Sequence, residues 1–269
     1  MLQMILAASF AAVLVAVSSL AARRWGLRTG GIVSAFPAIV GPVLVLVAVE
    51  HGPDAAARNA EGTLLGLVGL AAFTAAYGRT ALRGGWIPSL LIGWTAAAVT
   101  SVAAASAGAR GGAPIGLLAA SISLWLAHRS LASQPGDPAT TSVPRSASAG
   151  TSILSRMALT ALIVVALTAA VSLVGPLAGG ILAALPVLAS VLAVLTHRDA
   201  GAEAAIALLR GSLAGMTGFV AFCQIVAVLI TRAPLVPVFA GATLAAVLAQ
   251  APALLARQEA QAHHGPRAG

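Results

Sequence analysis

The chain is a succession of apolar runs separated by short polar stretches, and that pattern leaves few folds open. The runs lie at 2–21, 30–50, 62–78, 86–107, 113–131, 153–174, 179–196, 207–230 and 234–255. Each is near the length that a helix of about 20 residues needs to cross a bilayer. In hydrocarbon every backbone N–H and C=O must find a partner within the protein, so spans of this kind fold as helices. Composition agrees, with 59% hydrophobic and 8% charged residues, against roughly a quarter charged in a soluble domain. The expected fold class is all-α, a polytopic membrane helix bundle of nine spans.

The formal charge of +8 would suggest a nucleic-acid partner in a soluble protein. Here the basic residues are 15 arginines placed almost entirely between apolar runs, so they report membrane orientation and no nucleic acid is expected. The first run lacks a positive leader and exceeds the 7 to 15 apolar residues of a secretory signal, so it reads as a retained span. The segment 132–150 is rich in Ser, Pro, Ala and Gly and reads as a flexible linker, as the tail 256–269 reads as disordered.

Shifting the chain by 149 residues aligns Gly26–Val99 with Gly175–Leu248 without a gap, and 21 of the 74 pairs are identical. Glycines and prolines hold the register: Gly30/Gly179, Gly31/Gly180, Pro37/Pro186, Gly52/Gly201, Gly62/Gly211, Gly66/Gly215, Gly69/Gly218 and Pro88/Pro237. The expected organisation is a four-span repeat at 1–107, a connecting span at 108–131, the linker, and a second four-span repeat at 151–255. An odd number of crossings separates equivalent points, so the repeats are expected to be inverted. Arginine placement agrees. With nine spans and an outside N-terminus, eleven arginines fall on cytoplasmic segments and three on outer ones. The expected location is a cell inner (plasma) membrane, with the C-terminus cytoplasmic.

Each repeat carries the same broken segment, "TGGIVSAFPAIVGP" at 29–42 and "AGGILAALPVLASV" at 178–191. Proline removes an amide donor and frees a carbonyl one turn earlier, and glycine pairs permit close approach. Such backbone survives at membrane depth only inside protein or beside a water-filled cavity, and in inverted repeats it points to a transport site. The candidate substrate-binding residues are Gly30, Gly31, Ser34, Pro37, Gly179, Gly180, Pro186 and Ser190. Glu61, Arg210 and Gln224 are candidates for a gate or vestibule. Glu61 aligns with Arg210, but inverted topology puts them near opposite surfaces, so no ion pair between them is expected.

The midplane residues Thr95, Thr100, Thr217 and Ser190 are of types that bond their own helix backbone, which argues against an embedded-carboxylate pump. His51, His128 and His197 stand at span ends, and neither a metal nor any other cofactor is expected. No nucleophile or acid–base constellation is present in the sequence, so the chain does not read as an enzyme.

The string "GLRTGGIVSAFPAIVGPVLVL", followed by a short polar loop and a Gly-rich third span, resembles the GlpM-type family of small four-span bacterial inner-membrane proteins. Phe36-Pro37 matches the family pattern, whereas Leu185-Pro186 departs from it at the aromatic. The resemblance covers roughly 1–105 and, more weakly, 150–255. It implies a fused, inverted duplication of such a unit. Two functions are expected to compete: a secondary transporter or exporter of a small solute between the second and seventh spans, and a non-transporting partner in assembly of an envelope polysaccharide. The bilayer is the expected partner; a small solute and self-association are both allowed.

Overall fold

The computed structural model describes residues 20–21, 24, 26–34, 40–108, 112–134, 181 and 184–263. These form eight helices and no strand: α1 (Leu27–Ser34), α2 (Val40–His51), α3 (Pro53–Gly84), α4 (Trp86–Gly108), α5 (Gly112–Ala132), α6 (Val187–Ala200), α7 (Ala202–Leu229) and α8 (Leu235–His263). Five of them, α3, α4, α5, α7 and α8 as far as Pro252, are long and apolar enough to cross a membrane. The expected spans at 2–21 and 153–174 lie outside the described residues save for 20–21, as does the linker beyond residue 134.

Local chemistry accounts for where these helices start and stop. Gly52 and Gly201, one in each repeat at the same register, have φ of 87° and 88° and ψ of 170° and 174°. An L side chain rarely tolerates that φ, so glycine turns the chain between α2 and α3 and again between α6 and α7. Asp54 and Glu203 follow in the first turns of α3 and α7, where a carboxylate complements the helix dipole. Gly84 ends α3, and Gly85, at φ 72°, reverses the chain into α4.

In the expected second span α1 reaches Ser34 and α2 starts at Val40, with 35–39 outside the described residues. Two boundaries differ from the sequence expectation. α3 has 32 residues where 62–78 is expected, a length of about 48 Å at 1.5 Å per residue, against a hydrocarbon core of about 30 Å. Its ends therefore stand beyond the apolar layer. α8 continues to His263, past the point where the tail is expected to lose structure. Beyond Pro252 its sequence is Ala, Leu, Arg, Gln and Glu almost throughout, all strong helix formers.

α3 and α7 are the buried pair at the centre. α3 packs against α2, α4, α5 and α7, and α7 against α1, α3, α5, α6 and α8. Between bilayer-embedded helices lipid is as apolar as leucine, so close van der Waals fit drives association and small residues gather at the contacts. Gly66 and Gly69 on α3, and Gly218 on α7, supply that fit. A Cβ on Gly66 would sit 2.6 Å from Ala184 Cβ, and one on Gly218 would sit 2.5 Å from Ala246 O. Around this centre α4, α5 and α8 turn large side chains outward, among them Leu91, Val102, Leu118, Trp125, Val236 and Leu248. An outer surface built this way belongs in lipid, and the protein is membrane-embedded.

Candidate functional site

The broken segments meet the long helix of the opposite half. Gly31 on α1 lies so close to α7 that a Cβ there would collide with Leu208 O and stand 2.7 Å from Ser212 N and 3.0 Å from Gly211 C. Backbone meets backbone at this joint. From the second segment, Ile181 and Ala184 press on Gly66 of α3: a Cβ on Gly66 would lie 2.7 Å from Ile181 O. Each half thus sets residues of its glycine-and-proline segment against the other half's central helix.

Of the candidate residues, Gly30 and Gly31 are buried in α1, and the Gly30 amide donates to Gly26 O at 3.2 Å. Ser34 ends α1. Pro37, Gly179 and Gly180 lie outside the described residues. Pro186 is the N-cap of α6, with φ −74° and ψ 38°, after a turn at Ala184–Leu185. A proline costs nothing there, because the first amides of a helix have no intrahelical acceptor. Ser190 is buried, and its hydroxyl donates to Val187 O at 2.9 Å. Thr95, Thr100 and Thr217 likewise donate to Leu91 O, Ala96 O and Ala214 O of their own helices, as their type predicts.

Glu61 and Arg210 occupy the two ends of α5. The Arg210 guanidinium donates to Leu131 O through Nε at 3.1 Å and through an Nη at 2.6 Å, and also to Gln134 O. The last carbonyls of a helix lack intrahelical donors and carry its negative pole, so a cation is favoured at that end. At the other end Glu61 Oε1 lies 3.8 Å from where a Cβ on Gly112, the first residue of α5, would be. That is the positive pole. The 19 steps along the chain from Gly112 to Leu131 put the ends about 28 Å apart. The repeat aligns a carboxylate with a guanidinium because one directional helix runs between the two positions, and its ends need opposite charges.

Three buried polar atoms have no hydrogen-bond partner among the described residues: Asn59 Oδ1, Ser101 Oγ and Gln224 Oε1. Gln224, on α7, is the vestibule candidate of the three.

No family model, curated protein or solved structure matches the chain. The functional reading therefore rests on the chain's own geometry.

Two residues outside the candidate set stand at the junction of the halves. Tyr77 of α3, fully buried, shares a hydrogen bond with His197 Nδ1 of α6 at 3.1 Å, and the two rings meet edge-on with centroids 6.0 Å apart. Partial burial holds His197 below its ordinary range, so the neutral ring is favoured near pH 7. One residue on, the Arg198 guanidinium lies over the Trp86 ring of α4 at 5.6 Å. A signal for these residues exists in the repeat register. Tyr77 is the single tyrosine, and its equivalent is Val226; the equivalent of His197 is Ala48. Positions where the two halves differ in chemistry mark what each end does alone.

Proposed function

We propose that the protein is a secondary transporter or exporter of a small solute, built as a nine-span inverted duplication in the inner membrane. The observation that carries this reading is the reciprocal joint: Gly31 against Leu208, Gly211 and Ser212, and Ile181 and Ala184 against Gly66. Two interrupted spans, each seated on the other half's central helix, are what rocking of two inverted units about a midplane site requires. The identical turns at Gly52 and Gly201 support the duplication, as does the resemblance to GlpM-type units. In this reading Gly31 is the pivot of the joint, and the solute site lies between the second and seventh spans beside it. Asn59, Ser101 and Gln224 carry buried oxygens without a partner among the described residues, and in this reading they offer polar contact to a solute within the bundle.

The test is a metabolite and toxicant-resistance profile of cells lacking the gene. The expected result is accumulation of, or sensitivity to, one solute class, reversed by the wild-type gene. An unchanged profile together with an altered cell-surface polysaccharide supports the competing reading, an assembly partner, for which the tight Gly31 joint serves as fixed packing. Orientation is tested separately, with single cysteines at Ser133, Asp54 and Ala262 in a Cys223→Ala background. An impermeant maleimide is expected to label intact cells at Asp54 alone; labelling at Ser133 or Ala262 overturns the nine-span arrangement.

A further inference from the structure

The two ends of the molecule are joined by equivalent helix pairs with unlike chemistry. At one end α4 meets α6, and at the other α8 meets α2. In the 149-residue register α8 is the counterpart of α4, and α2 of α6. At the first junction Arg198 of α6 stacks on Trp86 of α4, and beside it His197 of α6 shares a hydrogen bond with Tyr77 of α3. The matching positions at the second are Val226, Ala48, Val49 and Leu235. Val226 is fully buried, Ala48 nearly so, and Leu235 packs against the core, so these matching positions make apolar contact where the first end makes a directional one.

We propose that Tyr77 and His197, braced by Trp86 and Arg198, are a latch that holds the α4–α6 end shut while the apolar α2–α8 end opens first. The physical asymmetry is directional. A hydrogen bond is lost abruptly when its partners separate, and the fully buried Tyr77 hydroxyl, once orphaned, bears a desolvation cost. Contacts among Val226, Ala48 and Leu235 have no preferred angle, and lipid or solute can replace them as the helices part. A cation over an indole adds a second directional contact at the same end. The bond joins residues 120 positions apart, on helices from opposite repeats, so breaking it removes a directional tie between the repeats at this end. The latch deepens the transport reading and rests on it for its purpose, but its existence is measurable with no solute.

The experiment uses the full chain with Cys223→Ala, reconstituted in lipid nanodiscs, and spin-label distances between introduced cysteines. The pair Ile87 and Ala200 reports the latched end; the equivalent pair Val236 and His51 reports the other. Tyr77→Phe, which removes one hydroxyl and keeps the ring, is expected to broaden the Ile87–Ala200 distribution toward distances longer by about 5 Å, one helical turn. His197→Ala is expected to do the same, and the double variant no more than either single one. The Val236–His51 distribution is expected to stay as in the parent. Installing the pair at the other end, with Val226→Tyr and Ala48→His, is expected to narrow the Val236–His51 distribution, and this arm reads the idea even if Tyr77 variants fold poorly. An Ile87–Ala200 distribution unchanged in folded Tyr77→Phe and His197→Ala overturns the latch, as does equal broadening at both ends. Failure of the solute profile with these distance changes intact would sink the transport reading and leave the latch standing.

Discussion

α4 and α8 sit on their partner helices by one contact made with two chemistries. Gly69 of α3 lies beneath Ala97 and Ser101 of α4, and Gly218 of α7 lies beneath Ala246 and Gln250 of α8, positions in identical register. In the second half Gln250 Nε2 donates to Gly215 O at 2.9 Å. In the first half Ser101 Oγ is buried without a partner among the described residues. What both halves retain is the absence of a side chain on α3 and α7, because that sets how closely two backbones approach. What stands above the glycine is free to differ. The same holds at Glu61 and Arg210, and at Tyr77 and Val226: the shared register keeps the geometry, and the two ends of the molecule take their own chemistry.

The sharpest way to break this comparison is to fill a joint. Gly31→Val is expected to lower the yield of folded protein and its melting temperature, by about 3 kcal/mol or more, because the obstructing atoms are α7 backbone and cannot rotate away. Full thermal stability in that variant, measured by size-exclusion chromatography after heating, would show that α1 and α7 are not held backbone to backbone. Next in size, Arg210→Met is expected to cost about 1.5–3 kcal/mol, since it removes charge-assisted hydrogen bonds to Leu131 O and Gln134 O. Glu61→Gln, at the other end of α5, has only the helix dipole to lose and is expected to cost about 0.3–1 kcal/mol. Similar losses from both variants in a thermal unfolding assay would contradict the asymmetry of the two helix ends. The smallest effects separate the two contacts above Gly69 and Gly218. Gln250→Ala is expected to destabilise by about 1 kcal/mol, through the orphaned Gly215 carbonyl, and Ser101→Ala by nothing measurable.

Residue by residue, the sequence is most readable where structure is local. The bands of apolar residues place α4 and α5 almost to the residue, since hydropathy and length alone decide what crosses a bilayer. The turn before Pro186 is legible because proline acts through its own dihedral and missing donor, whereas α1 runs unbroken through Gly30-Gly31, whose use is close approach to α7. The length of α3 is less so. Residues 53–61 are polar enough to read as loop, yet Pro53 and Asp54 start a helix there that continues through them. Candidate residues chosen by symmetry, such as Gly31, fall at the joint. Tyr77 and His197 escape that choice because they are the places where symmetry fails.

By itself the sequence determined that this chain lives in a membrane as helices, that a proline stands at the start of α6, and which positions share the 149-residue register. Hydropathy, proline and glycine act within a few residues, so they are written in order along the chain. Only the tertiary structure decided that Gly31 meets α7 backbone, that Arg210 caps α5, and that Tyr77 reaches His197. The last two contacts join residues 79 and 120 positions apart, and no local preference encodes a distance between helices.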